Sequence, residues 1–413
     1  MTRDTSNVDG ARLWSTLMET AAFGATAKGG LRRLALSQED AAVRRWFVAA
    51  CEAAGLTVVI DALGDIFARR AGLDPDLSPI AIGSHLDTQP TGGRFDGILG
   101  VLAGLEVVRT LNDAGLVTRH PIEIVDWTNE EGARFAPAML ASGVFGGAFD
   151  LGYAQSRTDR DGVAFGEALE AIGFRGDALV GGRTLAAHFE LHIEQGPVLE
   201  AAGRDIGIVT GVQGIRWFDA VVEGQACHAG TTPMARRRDP LQGAARLAAA
   251  VDRIGRSEPD VSLSTIGQFE AFPGSRNTMP EVVRLSIDLR HPRDDGLDHM
   301  ERSLRAEAAD IAETLGLAIT LTPVWASPPV VFAPACVGAV RRAVADLGCA
   351  AQDIVSGAGH DSVYLSRVTP TAMIFIPCLG GISHNEAESI TPDQARLGAE
   401  VLLRAVLAFD RAS

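Results

Sequence analysis

The first half of the chain alternates between short apolar runs and longer segments in which apolar residues recur every three or four positions. The short runs predict buried strands, and the longer segments predict amphipathic helices. The predicted strands cover 56–61, 80–83, 122–127, 189–193 and 206–209. The predicted helices cover 8–22, a segment that begins with the capping-box sequence at Ser37 and stops at Gly55, and 98–114. Strands that alternate with helices favour an α/β fold.

The pattern changes near Gly214, after which three further strand-like runs are interleaved with two longer helical segments. The predicted elements are strands over 215–223, 261–269 and 281–290, a helix that begins at Asp239-Pro240 and a helix over about 295–315. Strict alternation in 281–290 is typical of an antiparallel sheet with one polar face. This part of the chain is therefore predicted to combine a sheet with two helices.

These elements predict two domains. Residues 213–327 form an inserted α+β domain, which ends at the sequence Ser327-Pro328-Pro329. Residues 1–212 and 328–413 form one discontinuous α/β domain. The chain returns to that domain through a helix over 334–347, a strand over 371–376 and a helix over 392–411.

Composition narrows the classes of function. The chain has 413 residues, of which 46% are hydrophobic and 22% charged, as in globular enzymes. Its formal net charge of −15 argues against nucleic-acid binding. Five scattered cysteines without a Cys-x-x-Cys pair predict reduced thiols and a cytoplasmic location. The polar start, Met-Thr-Arg-Asp, predicts neither a signal peptide nor a membrane span.

Metal-ligand side chains follow several of the predicted strands. His85 and Asp96 follow the strand over 80–83, Glu130 and Glu131 follow 122–127, His192 lies near the end of 189–193, and His384 follows 371–376. Ligands of open α/β sheets bind at the carboxyl ends of strands, so we expect these side chains to meet. Imidazoles with carboxylates suit a Zn²⁺-class ion, and a shared carboxylate suits a two-metal hydrolytic centre.

Each ligand has an ordinary structural alternative. Asp96 precedes a predicted helix and would serve as its N-cap, and Glu130-Glu131 would form a solvated acidic turn. His188 lies four residues before His192, but strand-like alternation and the absence of His-Glu-x-x-His argue against a helical zinc motif. We interpret four histidines as surface or packing residues: His120, His188, His291 and His299. No Gly-x-Ser-x-Gly elbow or P-loop offers another chemistry.

Taken together, the motifs resemble those of M20 metallopeptidase-like amidohydrolases. Within these enzymes the chain is most similar to the group of N-carbamoyl-L-amino acid hydrolases, β-ureidopropionases and allantoate amidohydrolases. The motifs are Gly29-Gly30-Leu31-Arg32-Arg33, His85-Leu86-Asp87-Thr88, Asn129-Glu130-Glu131-Gly132, Leu191-His192-Ile193-Glu194-Gln195-Gly196-Pro197, His228-Ala229-Gly230-Thr231-Thr232-Pro233-Met234, Asp288-Leu289-Arg290, Ser356-Gly357-Ala358-Gly359-His360-Asp361 and Ser383-His384. One departure is Ala141, where relatives often have Gly. The resemblance implies a two-domain fold whose inserted domain serves as a lid and a dimerisation domain.

The resemblance also implies roles for individual residues. It places one ion among His85, Asp96 and His192, and a second among Asp96, Glu131 and His384. It makes Glu130 the general base, Asp87 the carboxylate that orients His85, and His228 the group that stabilises the oxyanion. The substrate-binding residues it implies are Gln195, Asn277, Arg290, Arg216 and Gly381. Arg290 also fits on its own chemistry, because an Arg fork on a polar strand face pairs naturally with a carboxylate; Arg216 is the alternative clamp.

The expected reaction is hydrolysis of the carbamoyl C–N bond of N-carbamoyl-L-amino acids or β-ureido acids, which yields the amino acid, CO₂ and ammonia. Allantoate or ureidoglycolate hydrolysis is the alternative reaction, and a non-catalytic binding protein on the same fold is the alternative of a different class. The ligand set suits two ions of Zn²⁺ or Mn²⁺, and also Co²⁺ or Ni²⁺. The expected partners are a small ureido acid and a second copy of the chain, bound through the inserted domain.

Overall fold

The computed structural model describes residues 7–413, so the extreme N-terminal residues 1–6 lie outside the described part of the chain. The chain forms two compact units. The first consists of Met1–Thr210 and Val331–Ser413, and the second of Gly211–Val330. The second unit therefore begins two residues before the predicted insert over 213–327 and ends three residues after it. No helix among residues 7–413 is long and apolar enough to cross a membrane.

A nine-stranded mixed sheet forms the centre of the first unit. Its strands, in spatial order, are Thr57–Ile60, Ile66–Arg70, Ile122–Asp126, Ile80–Ser84, Ala187–Ile193, Thr371–Ile376, Ile206–Val212 and Val330–Val331, and Ala351–Ser356 also pairs with Ile206–Val212. The four strands from Ile122–Asp126 to Thr371–Ile376 run parallel to one another. Their carboxyl ends therefore lie along one edge, and the α/β class predicted from the alternating pattern is confirmed.

Helices cover this sheet. The α-helices of the first unit are Gly10–Thr20, Gln38–Ala53, Ile98–Asp113, Leu140–Phe145, Leu151–Gln155, Phe165–Ala171, Val198–Ala201, Pro334–Leu347, Asp361–Leu365 and Pro392–Asp410. Ile98–Asp113 packs closely because glycines face the sheet. A Cβ at Gly100 would lie 2.5 Å from the carbonyl oxygen of Leu191, and one at Gly104 would lie 3.0 Å from Ile82. The glycines of this helix therefore serve packing.

The second unit contains a four-stranded antiparallel sheet with two long helices packed against it. Its strands, in spatial order, are Ala318–Ser327, Gly214–Glu223, Val282–His291 and Leu263–Phe272, and its helices are Pro240–Gly255 and Asp294–Leu315. Val283, Leu285, Ile287 and Leu289 are buried in the core of this unit, as the alternating pattern predicts. A separate short ribbon pairs Cys227–His228 with Thr278–Met279.

The sequence patterns did not identify every strand. Ala318–Ser327 was not predicted, because it lies at the edge of its sheet, is largely exposed and contains Pro323 beside a register shift. Ile66–Arg70 was also not predicted, since its apolar residues are followed by Arg69 and Arg70. Both are peripheral strands in which solvent-facing polar residues weaken the hydrophobic signal.

Candidate metal centre

Four strand exits converge at one edge of the sheet in the first unit. The parallel strands Ile80–Ser84, Ile122–Asp126, Ala187–Ile193 and Thr371–Ile376 deliver the segments that carry the predicted ligands. Because neighbouring parallel strands end side by side, residues far apart in sequence meet here. All five residues predicted to bind metal lie in two overlapping groups: His85, Asp96, Glu131, His192 and His384.

The first group consists of His85, Asp96 and His192, whose ligand atoms lie within 4.8 Å of one another. Nε2 of His192 is 3.1 Å from Oδ1 of Asp96. All three side chains are buried. The helix that follows Asp96 has Gly97 as its N-cap without a side-chain capping bond, so the N-cap alternative for Asp96 is wrong.

The second group consists of Asp96, Glu131 and His384. Nε2 of His384 lies 3.4 Å from Oδ2 of Asp96 and 3.4 Å from Oε2 of Glu131. The two oxygens of Asp96 thus face different histidines. This arrangement fits a carboxylate that bridges two cations.

Backbone carbonyls orient both buried imidazoles. Nδ1 of His85 lies 2.9 Å from the carbonyl oxygen of Asp87, and Nδ1 of His192 lies 2.9 Å from that of Ile193. Each Nδ1 therefore carries the hydrogen in the neutral ring, which leaves the Nε2 lone pair directed into the site. That tautomer is the one a metal ligand needs.

Asp87 differs from the prediction in the atom that it uses. Its carboxylate Oδ1 is 3.8 Å from Nδ1 of His85, too far for a hydrogen bond, and its carbonyl makes the contact instead. The carboxylate accepts the backbone N–H groups of Glu130 and Glu131, at 3.2 and 3.3 Å. Asp87 thus holds the His85 ring through its main chain and the glutamate pair through its side chain.

The glutamate pair is presented by a turn rather than by extended backbone. Asn129 has φ 61°, and its side chain donates to the carbonyl of Phe135 at 2.8 Å. Oε2 of Glu130 lies 3.6 Å from Nε2 of His85, whereas Glu131 faces His384. Both glutamate side chains are less than a tenth exposed, so the solvated-turn alternative is wrong. The pair therefore offers one carboxylate to each donor group.

The site concentrates buried negative charge. Burial, followed by the nearby carboxylates of Asp361 and Glu131, raises the pKa of Glu130 well above its usual range. Burial and then Asp96 raise the pKa of Glu131 in the same way. Burial lowers the pKa of His85 to about 4, so this ring is neutral at neutral pH. Bound cations would offset the cost of burying these carboxylates.

His192 and Asp96 form a buried charge pair, with Nε2 and Oδ1 3.1 Å apart. Burial lowers the pKa of His192, but the contact with Asp96 outweighs it and raises that pKa to about 9. Burial works against ionisation of Asp96, yet His192 holds the pKa of that carboxyl below its usual range. The carboxylate of Asp96 is thus ionised, and the imidazole of His192 supplies the positive charge beside it. A bound divalent cation would supply that charge instead. Donor types and spacing both fit two divalent cations.

Gln195 and Gly381 also lie at this edge of the sheet. Nε2 of Gln195 donates to Oδ1 and Oδ2 of Asp96, at 3.2 and 3.0 Å. Gly381 has φ +66°, and a Cβ there would lie 2.5 Å from the backbone nitrogen of Pro197. Gln195 therefore touches a predicted ligand directly, and Gly381 fits because its turn approaches another backbone closely.

In the second unit, the short ribbon brings together His228 and Asn277. His228 pairs with Thr278, and the Ala229 N–H donates to the carbonyl of Asn277 at 2.9 Å. The Gly230 N–H lies 3.0 Å from Nδ1 of the exposed His228 ring. Since Nδ1 accepts, Nε2 carries the hydrogen and is a free-standing donor of the type an oxyanion requires.

The two candidate arginines of the second unit differ in their surroundings. Arg216 donates to Asp298 at 2.6 Å and to Glu301 at 2.7 Å. Arg290 donates to Asp288 at 2.9 Å and belongs to the half-buried residues of its strand. Nε of Arg290 also donates to both oxygens of Asp288, at 3.2 and 3.0 Å, so acidic neighbours hold both guanidiniums.

Sequence reasoning did not single out three residues beside the ligands. Glu190 and His360 form a third potential donor group with His192, and the His360 and His192 ring centroids are 4.6 Å apart. Glu190 accepts hydroxyl hydrogens from Ser84 and Ser362 at 2.9 and 2.6 Å. Oε1 of Glu388 accepts the backbone N–H group of Asp96 at 3.1 Å. His360 follows the strand Ala351–Ser356, but Gln352 and Asp353 obscured the apolar pattern of that strand. Glu388 carried no signal beyond its closeness to His384.

Comparisons with known proteins identify the family of this chain. Residues 81–408 match a family-level sequence profile described as Peptidase family M20/M25/M40. The N-carbamoyl-L-amino-acid amidohydrolase of Rhizobium meliloti is 48% identical over 97% of this chain and 96% of that protein. The enzyme of that name from Geobacillus stearothermophilus is 38% identical over 97% of this chain and 98% of that protein. The structure of an amidase of the hydantoinase/carbamoylase family from Burkholderia multivorans superposes with a TM-score of 0.95, at 53% identity, over 98% of both chains.

Proposed function

The chain belongs to peptidase family M20/M25/M40, and on that premise we propose that it hydrolyses the carbamoyl C–N bond of N-carbamoyl-L-amino acids. The observation that carries this proposal is Asp96, whose two oxygens face two separate donor groups. Relatives named N-carbamoyl-L-amino-acid amidohydrolases that match over nearly the whole chain support the substrate class.

Two divalent cations would be held by the five ligands, one by His85, Asp96 and His192 and the other by Asp96, Glu131 and His384. Zn²⁺ and Mn²⁺ suit these nitrogen and oxygen donors best, and Co²⁺ and Ni²⁺ also suit them. When bound, such ions act as Lewis acids that polarise a carbonyl and lower the pKa of water.

Glu130 would transfer the proton. Its carboxylate would accept a hydrogen from the attacking water as the oxygen forms a bond to the ureido carbon, and would later donate it to the leaving nitrogen. The C–N bond to the amino acid then breaks, and the carbamate decomposes to CO₂ and ammonia. Burial, and then the nearby carboxylates, raise the pKa of Glu130, which favours holding that proton between the two steps.

The second unit would supply the remaining groups. Nε2 of His228 would donate to the developing oxyanion, and Asn277, its neighbour on the ribbon, would contact the substrate. The guanidinium of Arg290 would pair with the α-carboxylate of the substrate. Gln195 would fix the orientation of Asp96 while also meeting the substrate.

We also propose that the protein works in the cytoplasm as a homodimer assembled through the second unit. All five cysteines are free, which suits a reducing compartment. Trp217, Trp325, Phe269 and Phe272 are each about two-fifths exposed on the four-stranded sheet. The Trp217 and Trp325 rings, whose centroids are 5.0 Å apart, form a small exposed apolar patch of the kind found at protein interfaces.

Complementation tests whether His228 serves the partner's centre. Inactive Glu130→Ala and His228→Ala proteins are mixed under conditions that allow subunits to exchange. If His228 acts on the partner, each heterodimer contains one complete site and activity returns. Continued inactivity after demonstrated exchange would refute the shared site.

A substrate panel scored by ammonia release tests the proposed reaction. We expect N-carbamoyl-L-amino acids to be hydrolysed faster than allantoate or ureidoglycolate. Faster turnover of allantoate would assign the other substrate class. A metal-replete protein inactive on every ureido acid would instead support a binding role on the same fold.

A further inference from the structure

Glu388 joins the chain segment that carries His384 to the one that carries Asp96. Its Oε1 accepts the backbone N–H groups of Phe95 and Asp96, at 3.0 and 3.1 Å. Its Oε2 lies 3.1 Å from the hydroxyl oxygen of Ser383. The side chain is only 2% exposed. A single buried carboxylate therefore holds together two segments separated by 292 positions in the sequence.

Ser383 extends this connection to the ligand itself. Its hydroxyl oxygen lies 3.2 Å from Oδ2 of Asp96, the oxygen that faces His384. Glu388 thus contacts Asp96 at the main chain directly, and the single hydroxyl hydrogen of Ser383 lies within reach of both carboxylates. Ser383 also precedes His384, so the same contacts restrain both ligands of the second donor group.

The surrounding backbone is shaped around the Glu388 side chain. A Cβ at Gly93 would lie 2.1 Å from Cδ and Oε1 of Glu388. Only glycine leaves room for the carboxylate to approach the segment before Asp96 this closely. The contact therefore depends on both residues.

We propose that Glu388 is a positioning residue that fixes the separation of Asp96 and His384 and thereby sets the affinity of the second cation site. The inference rests on the metal-binding roles proposed above for these two ligands. Glu388 itself donates no atom to either group of ligands. Carboxylates that orient ligands in this way tune metal affinity, and their loss typically costs a factor of roughly 10–100.

Asp410 offers a matched control. Its carboxylate is also buried and accepts two consecutive backbone N–H groups, those of Arg119 and His120, at 3.0 and 2.8 Å. It bridges 291 and 290 positions, almost the same span as Glu388, but contacts none of the predicted ligands. Asp410→Ala therefore removes an equivalent structural tie without touching the metal centre.

The test measures Mn²⁺ binding to chelator-treated protein by titration calorimetry, together with the melting temperature before Mn²⁺ is added. We expect Glu388→Ala to weaken the binding of one of the two Mn²⁺ ions by roughly 10–100-fold. Asp410→Ala should lower the melting temperature comparably but keep wild-type affinity. Glu388→Gln should bind close to wild type, because its amide oxygen still accepts both N–H groups and its NH₂ can donate to Ser383.

Unchanged Mn²⁺ affinity in Glu388→Ala, or an equal loss in Asp410→Ala, would overturn the inference. If Glu388→Ala does not fold, Glu388→Asp decides, since the shorter side chain withdraws the carboxylate from both N–H groups and keeps the charge. Weaker binding of the second ion then supports the inference, and wild-type binding overturns it. Because these titrations contain no substrate, a wild-type protein that binds two ions yet lacks hydrolysis would refute the proposed reaction alone.

Discussion

One carboxylate oxygen of Asp96 lies 3.1 Å from Nε2 of His192, although Asp96 follows the strand Ile80–Ser84 and His192 lies within Ala187–Ile193. Its other oxygen faces His384 at 3.4 Å. Three strand exits therefore meet at one side chain. The predictions below follow from this convergence and from the side chains around it.

Glu130→Gln should separate proton transfer from metal binding. The amide keeps the size of the side chain but cannot accept a proton from water, so turnover should fall by about 10²–10⁴-fold. Metal content should stay at the wild-type level, because Glu130 is not among the five grouped ligands. Ammonia release and elemental analysis measure the two effects. Turnover near the wild-type level would show that Glu130 is not the general base.

Gly97→Ala should damage the centre more than an equally unusual glycine elsewhere. Gly97 has φ +70°, and a Cβ there would lie 2.3 Å from the His85 ring. Gly115, with φ +62° and nothing within 4 Å of its Cβ position, is the control. Gly115→Ala should cost about 1–2 kcal/mol of unfolding free energy from backbone strain alone. Gly97→Ala should cost more and also lose metal; equal effects would mean that the close approach to His85 is unimportant.

How much of the centre could be predicted depended on where each residue lies. His85, His192 and His384 follow apolar strands, so the sheet rule alone places them at one edge. The use of the Asp87 carbonyl rather than its carboxylate could not be predicted, because it depends on the conformation of a two-residue turn. Glu388 could not be predicted either, since its partners lie nearly 300 positions away.

The prediction of an inserted domain also rested on local sequence patterns. Strict alternation in Val282–His291 reveals a sheet with one buried face, and the end of the insert is marked by consecutive prolines. The edge strand Ala318–Ser327 was not predicted because burial alternates only in its first half, around Ile319 and Leu321, and most of its second half is exposed. Which pairs of residues cross the sheet, and at what distance, is decided only by the folded chain.

His188 should make unfolding pH-dependent. The ring is fully buried, and burial lowers the pKa of His188 from 6.5 to about 3. The unfolded state therefore binds a proton first, so this stabilising contribution is complete above pH 6.5 and is lost as the pH falls towards 3. Between those values the unfolding free energy of wild type should fall more steeply than that of His188→Gln, by up to about 1.4 kcal/mol per pH unit.

Urea unfolding of chelator-treated protein at a series of pH values measures that difference in slope. His299→Gln is the matched control, because the His299 side chain is exposed. Its slope should equal that of wild type. Parallel curves for wild type and His188→Gln would contradict the expected proton uptake on unfolding.

Arg290→Ala should weaken substrate binding without changing the metal content. Loss of a charge-assisted pair with the substrate carboxylate predicts roughly 10- to 100-fold weaker binding. Arg216→Ala is the comparison variant and should have little effect if Arg290 is the clamp. KM values for one N-carbamoyl amino acid test both variants. If Arg216→Ala raised the KM more than Arg290→Ala, Arg216 would be the residue that binds the substrate carboxylate.

The most direct test of a two-cation amidohydrolase is removal and return of the metal. The protein is stripped with a chelator, and ammonia release from an N-carbamoyl-L-amino acid is followed as Mn²⁺ or Zn²⁺ is added back. We expect activity to vanish on stripping and to return in proportion to bound metal up to two ions per chain, while Glu130→Gln binds the same ions and stays inactive. Full activity in the stripped protein, or saturation at one ion with Asp96→Asn still active, would contradict the central claim.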